Sequence, residues 1–153
     1  MAFSKESIKK DNLLKNYIEG KWVDPENNGY IDVENPATGE ILAKSPLSTR
    51  EATNYAIDSA VSAYPGWSTT PVARRVRYLF ELNELLRANE DKLARVLVAE
   101  MGKSLTDSIA EFKRVYENIE VATGMPVLQQ GDKIIGSSFG IDGEVLRLPI
   151  GVF

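Results

Sequence analysis

The 153-residue sequence contains neither cysteine nor histidine. Without cysteine the chain has no thiolate nucleophile and no disulfide framework, and without histidine it has no imidazole base. The usual ligands of a zinc site are missing with them. The phosphate-loop signatures G-x-G-x-x-G and G-x-x-x-x-G-K-[ST] are also absent, since Gly136, Gly140 and Gly143 have a different spacing. We therefore expect no self-sufficient active site of these kinds.

Long apolar runs and an excess of positive charge are lacking as well. No segment approaches the roughly 20 apolar residues that span a bilayer, and residues 1–15 mix lysines with acids instead of forming a signal peptide. The 18 basic residues are interspersed among 22 acidic ones, giving a net charge of -4. These features predict a cytoplasmic protein that binds neither membranes nor nucleic acid.

Helical periodicity is strongest between residues 70 and 104, which predicts two amphipathic helices separated at Asn89. Gly102 is suited to end the second one, because glycine adopts the left-handed backbone conformation at little cost. The apolar positions of these helices are Val72, Val76, Leu79, Phe80, Leu86, Leu93, Val96 and Leu97. The pattern indicates a helical hairpin that contributes to a hydrophobic core.

Two further helices flank this hairpin. The first begins at a Ser48–Glu51 capping box and carries a stripe of alanines until Pro65-Gly66 stops it. We expect Trp67 to be buried where this helix meets the next one. The second begins at Ser104 and runs to about Thr123.

Extended segments occupy both ends of the chain. Residues 17–23 and 30–45 predict two hairpins, the second closed by a turn at residues 35–39. Residues 133–136 and 144–148 predict two more strands. The last five residues, 149–153, are apolar and contain no stop signal, so we expect the sequence to be a fragment of a longer chain.

Arg114 lies opposite the apolar stripe of its helix, on the side that also carries Ala110 and Asn118. Two interpretations are open from the residues alone. The first is a solvated arginine paired with Glu111 or Glu117, which is worth a few tenths of a kcal/mol. The second is a ligand-binding cation.

Four motifs in order resemble the aldehyde dehydrogenase superfamily. They are Asn35-Pro36-Ala37-Thr38-Gly39-Glu40, Ala63-Tyr64-Pro65-Gly66-Trp67, Glu100-Met101-Gly102-Lys103 and Arg147-Leu148-Pro149-Ile150-Gly151-Val152. The resemblance covers residues 16–153. Within the superfamily, the sequence is most similar to the CoA-acylating methylmalonate-semialdehyde dehydrogenases, judging from residues 45–49, 70–72 and 102–132.

The resemblance implies an α/β fold that comprises the N-terminal β-hairpins and helices of an aldehyde dehydrogenase, with an incomplete Rossmann-like cofactor domain and the first strands of the oligomerisation sheet. The implied parts are a surface arm at 1–15, N-terminal hairpins at 16–48, the helical part of the cofactor-binding domain at 49–125, and oligomerisation strands with the start of a truncated core at 126–153. It also implies self-association through the C-terminal strands.

For the intact enzyme the resemblance implies a cysteine thioester, NAD and CoA as cofactors, and a semialdehyde substrate. This chain alone is then inactive and binds neither cofactor tightly, because the catalytic cysteine and glutamate regions are absent. It contains no catalytic, cofactor-binding or metal-binding residue. The resemblance does assign Arg114, eleven positions after Lys103, to the substrate carboxylate, which points to an anionic aldehyde.

A second hypothesis comes from a different class of protein. The chain could be a free-standing, non-enzymatic module that kept this fold to bind a protein partner, such as a dehydrogenase subunit. A natural module would end in a polar or capped segment, whereas a fragment can end anywhere. The coding sequence beyond residue 153 would distinguish the two.

Overall fold

Three antiparallel strand pairs and five helices make up the computed structural model, which describes residues 12–153. The predicted α/β class is confirmed, while most of the predicted surface arm lies outside the described residues. The elements are β1 (Asn16–Ile18), β2 (Lys21–Val23), β3 (Asn27–Glu34), β4 (Ile41–Ser48), α1 (Arg50–Ser68), α2 (Val72–Ala88), α3 (Glu90–Met101), α4 (Leu105–Thr123), α5 (Met125–Leu128), β5 (Asp132–Ser138) and β6 (Ile141–Val145).

The two N-terminal hairpins form as the sequence predicts. Glu19 and Gly20 both adopt left-handed backbone angles between β1 and β2, which suits the twist of a tight hairpin. The β3–β4 turn is held by Asn35, whose side-chain oxygen accepts a hydrogen bond from the Ala37 N–H at 2.9 Å. The Asn35 carbonyl also accepts from the Gly39 N–H at 2.8 Å. Local turn chemistry is therefore enough to close this hairpin.

The buried residues lie in two places. Ile18, Leu42 and Ala43 are buried at the N-terminal hairpins, whereas Val76, Ala94 and Tyr116 are buried among α2, α3 and α4. Ala94 of α3 and Ser108 of α4 are both fully inaccessible to solvent. Small side chains at these positions allow α3 and α4 to approach closely. The three helices thus form one packed unit.

Helix α1 differs from the prediction at both ends. Its N-cap is Thr49, whose side chain accepts a hydrogen bond from the Ala52 N–H at 3.1 Å, while Ser48 is still part of β4. Pro65 does not stop the helix, which continues to Ser68. Proline removes one helical hydrogen bond, but α1 has no buried residue, so the carbonyl that loses its partner can be hydrated instead.

The expectation that Trp67 is buried is wrong. Its side chain is 49% exposed. It does contact α2, since its ring centroid lies 5.8 Å from that of Tyr78 and 6.0 Å from the Arg75 Cζ. The ring therefore packs against α2 where α1 and α2 meet, but about half of it stays exposed.

The C-terminal hairpin is displaced slightly from its prediction and is open to solvent. Strand β6 starts and ends three residues earlier than predicted, at 141–145. Every residue of β5 is exposed, including Ile135 at 79%. The following segment is exposed too, with Leu148 at 74% and Ile150 at 86%. The hairpin and the segment after it therefore leave several apolar side chains exposed.

Candidate functional site

Helix α4 carries the candidate residue, and its N-terminus is firmly fixed. The Ser104 hydroxyl oxygen accepts a hydrogen bond from the Asp107 N–H at 3.1 Å and lies 2.7 Å from the Asp107 carboxylate. This confirms the cap predicted at Ser104. A capped first turn sets the direction in which the helix leaves the preceding loop.

Tyr116 fixes which face of α4 points inward. Its buried hydroxyl donates a 2.7 Å hydrogen bond to Glu90 Oε2 at the start of α3. The Arg87 Cζ lies 4.2 Å from the centre of the Tyr116 ring, and Arg87 also forms a 2.9 Å ion pair with Glu120. Burial and the Glu90 carboxylate raise the pKa of Tyr116 to about 12. The hydroxyl thus stays protonated and keeps this link between α2, α3 and α4 intact.

Arg114 lies on the outward face of α4, opposite the buried Tyr116. Its side chain is exposed, and among residues 12–153 it forms no ion pair. Glu111, one of the two partners considered for it, is instead paired with Lys103. The residues one helical turn away at i−4 and i+4, Ala110 and Asn118, carry no charge. The guanidinium is therefore open to an external anion.

The β3–β4 turn reaches the loop that leads into α4. Gly102 ends α3 in the left-handed conformation, with φ of 68°, as its position predicts. A Cβ atom placed on Gly102 would lie 3.0 Å from the Pro36 Cγ and 3.2 Å from the Ala37 backbone nitrogen. Two motifs that are more than sixty residues apart are thus in contact. Sequence reasoning missed this contact, because each motif is explained locally by its own turn or cap.

Sequence reasoning also missed the Lys103–Glu111 pair. The two residues are eight positions apart and lie on opposite sides of a helix start, so no helical spacing rule connects them. A usable signal was the position of Lys103 between a C-cap glycine and an N-cap serine. Because both neighbours have fixed backbone conformations, the backbone of Lys103 is fixed too, and with it the direction in which the side chain leaves the main chain.

Concave surface occurs elsewhere in the chain. A cavity of about 410 Å³ lies between β1 and α1, where Ala52 and Ala56 contribute to its wall. A second cavity, of about 290 Å³, adjoins it near Tyr55. Neither cavity is lined by Arg114, the candidate residue, which lies on the exposed face of α4. Residues 12–153 contain no group of acidic side chains that could hold a metal ion and no helix able to cross a membrane.

Comparison with known proteins identifies close relatives. Residues 22–153 match the model of the Aldehyde dehydrogenase family. The malonate-semialdehyde dehydrogenase of Bacillus velezensis is 44% identical over 139 residues, which cover 91% of this chain and 28% of that protein. The chain thus spans less than a third of the length of this relative and corresponds to its N-terminal portion.

Solved structures of aldehyde dehydrogenases also match this chain over about nine tenths of its length. A Sinorhizobium meliloti structure, assigned as a methylmalonate-semialdehyde dehydrogenase complexed with NAD, is 33% identical with a TM-score of 0.84 and is matched over 92% of this chain and 29% of that one. The methylmalonate-semialdehyde dehydrogenase of Oceanimonas doudoroffii is 34% identical with a TM-score of 0.83, over 91% and 28% of the respective chains. The fold expected from the sequence is therefore confirmed.

Proposed function

The chain belongs to the aldehyde dehydrogenase family, and we propose that it is the N-terminal part of an NAD-dependent, CoA-acylating dehydrogenase of anionic semialdehydes. The names of its relatives support this substrate class, because malonate and methylmalonate semialdehydes both carry a carboxylate. The NAD complex of the Sinorhizobium relative supports the choice of oxidant. A cytoplasmic location is part of the same proposal.

Arg114 is the observation that carries the proposal. A guanidinium meets a carboxylate through two parallel hydrogen bonds and stays charged at every relevant pH. The Tyr116 contacts hold α4 so that Arg114 faces away from the helical unit, and no ion pair within residues 12–153 neutralises it. In the complete enzyme this segment would bind and orient the substrate carboxylate. The thiolate must come from elsewhere, because this sequence contains no cysteine.

The N-termini of α1, α3 and α4 are not open to a nucleotide phosphate, whereas that of α2 has neither a side-chain cap nor an acid in its first turn. Side chains of Thr49 and Ser104 close the N-termini of α1 and α4. Glu90 and Asp91 occupy the first turn of α3, where they would repel a pyrophosphate. Our proposal assigns NAD and CoA, which serve as oxidant and acyl acceptor, to the part of the complete enzyme that this chain does not cover, which is more than two thirds of the length of its relative.

A fusion enzyme tests the proposal. In it, the matching segment of this chain replaces the aligned 139 residues of the Bacillus velezensis relative. We expect the fusion to oxidise malonate semialdehyde with NAD and to prefer it over propanal, because Arg114 supplies the carboxylate contact. We expect the 153-residue chain alone to produce no NADH. The measurement is the rate of NADH formation at 340 nm, the absorbance maximum of NADH.

The controls separate a failed fusion from a failed proposal. A second fusion, built with the Oceanimonas doudoroffii relative, guards against a mismatched interface in one partner. Thermal melts with and without NAD show whether each fusion is assembled. An assembled fusion that binds NAD but has lost the preference for the acidic aldehyde would contradict the proposal and favour the non-enzymatic module.

We also propose that the C-terminal hairpin mediates self-association. Strands β5 and β6 pair only with each other within residues 12–153, so each retains an open edge beside exposed apolar side chains. Leu146, at 66% exposure, and Ile150 add exposed apolar side chains just after β6. Open edges next to apolar surface recruit further strands. The occupant expected here is a second copy of the same hairpin.

Truncation tests this association. Deleting residues 144–153 should shift the chain towards monomer and leave α2, α3 and α4 folded, because their packed unit does not include the hairpin. Multi-angle light scattering over a concentration series measures the molar mass, and far-ultraviolet circular dichroism checks the helices. A clean monomer of the full 153 residues at high concentration would contradict the proposal.

A further inference from the structure

Lys103 occupies an unusual position immediately before α4. Gly102 ends α3 on one side of it, with its N–H donating to the Val98 carbonyl at 2.9 Å. Ser104 caps α4 on the other side. The lysine is thus held between two fixed residues, and its side chain is only 21% exposed. It reaches along α4 to the carboxylate of Glu111.

Glu111 is also the acid best placed to pair with Arg114. It precedes the arginine by three residues on the same helix, and an acid on the N-terminal side of a base is the more favourable order. Glu117 follows Arg114 by three residues, which is the less favourable order. The remaining neighbours one turn away, Ala110 and Asn118, cannot form an ion pair. Glu111 is therefore the main competitor for the guanidinium within its own helix.

We propose that Lys103 is a positioning residue: by holding Glu111, it keeps Arg114 unpaired and available to a substrate carboxylate. This inference rests on the proposed function of Arg114, and it gives the Lys103–Glu111 ion pair a role in that function. The partly buried lysine is screened less by solvent than Arg114 is, so it holds the shared acid more effectively. Without Lys103, Glu111 would turn to Arg114 and place a negative charge where the substrate carboxylate must bind.

Four variants of the fusion enzyme test the inference. Lys103→Met should raise the KM for malonate semialdehyde about two- to fivefold, the range expected when an exposed ion pair competes for the arginine. The kcat should stay nearly unchanged, because only substrate binding is affected. In the double variant Lys103→Met/Glu111→Gln the competing charge is gone, so KM should return close to the parent value. If Lys103 had a purely structural role, the added Glu111→Gln substitution would not restore KM.

Lys113→Met is the matched control. Lys113 lies next to Arg114 and is exposed, and it forms no ion pair among the described residues. Its removal deletes one positive charge near the site and releases no acid. The KM should therefore change less than in Lys103→Met. An equal rise in both variants would mean that KM follows the local positive potential, and would overturn the inference.

Arg114→Leu separates this inference from the proposed function. If Arg114→Leu raises KM for the acidic aldehyde and Lys103→Met does not, the positioning role is wrong and the substrate assignment stands. If Lys103→Met raises KM but the double variant fails to restore it, the positioning role is also wrong. If Arg114→Leu itself has no effect on the acidic aldehyde, the proposed function fails.

Discussion

Replacing Arg114 by leucine in the fusion enzyme should lower kcat/KM for malonate semialdehyde about ten- to a hundredfold, which corresponds to the loss of one charge-assisted hydrogen-bonded pair worth about 1.5 to 3 kcal/mol. Propanal should be affected much less, because it has no carboxylate to bind. The affinity for NAD should be nearly unchanged. Initial rates with both aldehydes, together with an NAD titration followed by fluorescence, measure the three effects.

Two further results make the test of Arg114 specific. Arg114→Lys should give an intermediate loss with the acidic aldehyde, because an ammonium keeps the charge but cannot make two parallel hydrogen bonds. The stability of the folded enzyme should not change in either variant, since the side chain is exposed and contributes no ion pair among the described residues. Equal losses with both aldehydes would show that Arg114 is structural.

Features set by a few neighbouring residues were predictable from the sequence. Gly102 ends its helix in the left-handed conformation, and Ser104 caps the next one, because the required backbone angles and hydrogen bonds involve residues within one turn. The β3–β4 turn closes for the same kind of reason, through Asn35. Such features do not depend on the rest of the fold.

Features that depend on solvent or on distant residues were not predictable in the same way. Pro65 is accommodated inside α1, where no residue is buried and the carbonyl that loses its hydrogen-bond partner can be hydrated. Trp67 contacts Tyr78 and Arg75 of α2, but these contacts leave about half of its side chain exposed. In both cases the local sequence pattern was correctly identified, but the environment decided the outcome.

For the candidate site, too, the sequence predicted the position of the residue but not its partner. Helical periodicity placed Arg114 on the outer face of α4, yet it could not choose between Glu111, Glu117 and an external ligand as its partner. That choice depends on Lys103, which lies outside the helix and is directed by a cap on either side. The family resemblance supplied the ligand hypothesis, and the structure supplied the unpaired guanidinium that supports it.

Replacing Gly102 by alanine should destabilise the chain by about 2 to 4 kcal/mol, of which about 1 kcal/mol comes from forcing a side chain into the left-handed backbone conformation and the rest, about 1 to 3 kcal/mol, comes from crowding. The crowding arises because the new Cβ would lie 3.0 Å from the Pro36 Cγ and 3.2 Å from the Ala37 backbone nitrogen. Backbone cannot move aside as a flexible side chain can. Urea denaturation followed by circular dichroism at 222 nm, the helical band, measures the loss.

Gly39→Ala is the matched control for this contact. Gly39 lies at the end of the same β3–β4 turn and has a similar φ of 72°, but a Cβ there would meet only the Glu34 carboxylate, at 3.6 Å. It should therefore cost about 1 kcal/mol, which is the backbone strain alone. Pro36→Ala removes the nearest atom, so it should recover part of the Gly102→Ala loss in the double variant and none of the Gly39→Ala loss. If Gly102→Ala and Gly39→Ala were equally destabilising, backbone strain would explain both, and the turn would not be packed against the loop that carries Lys103.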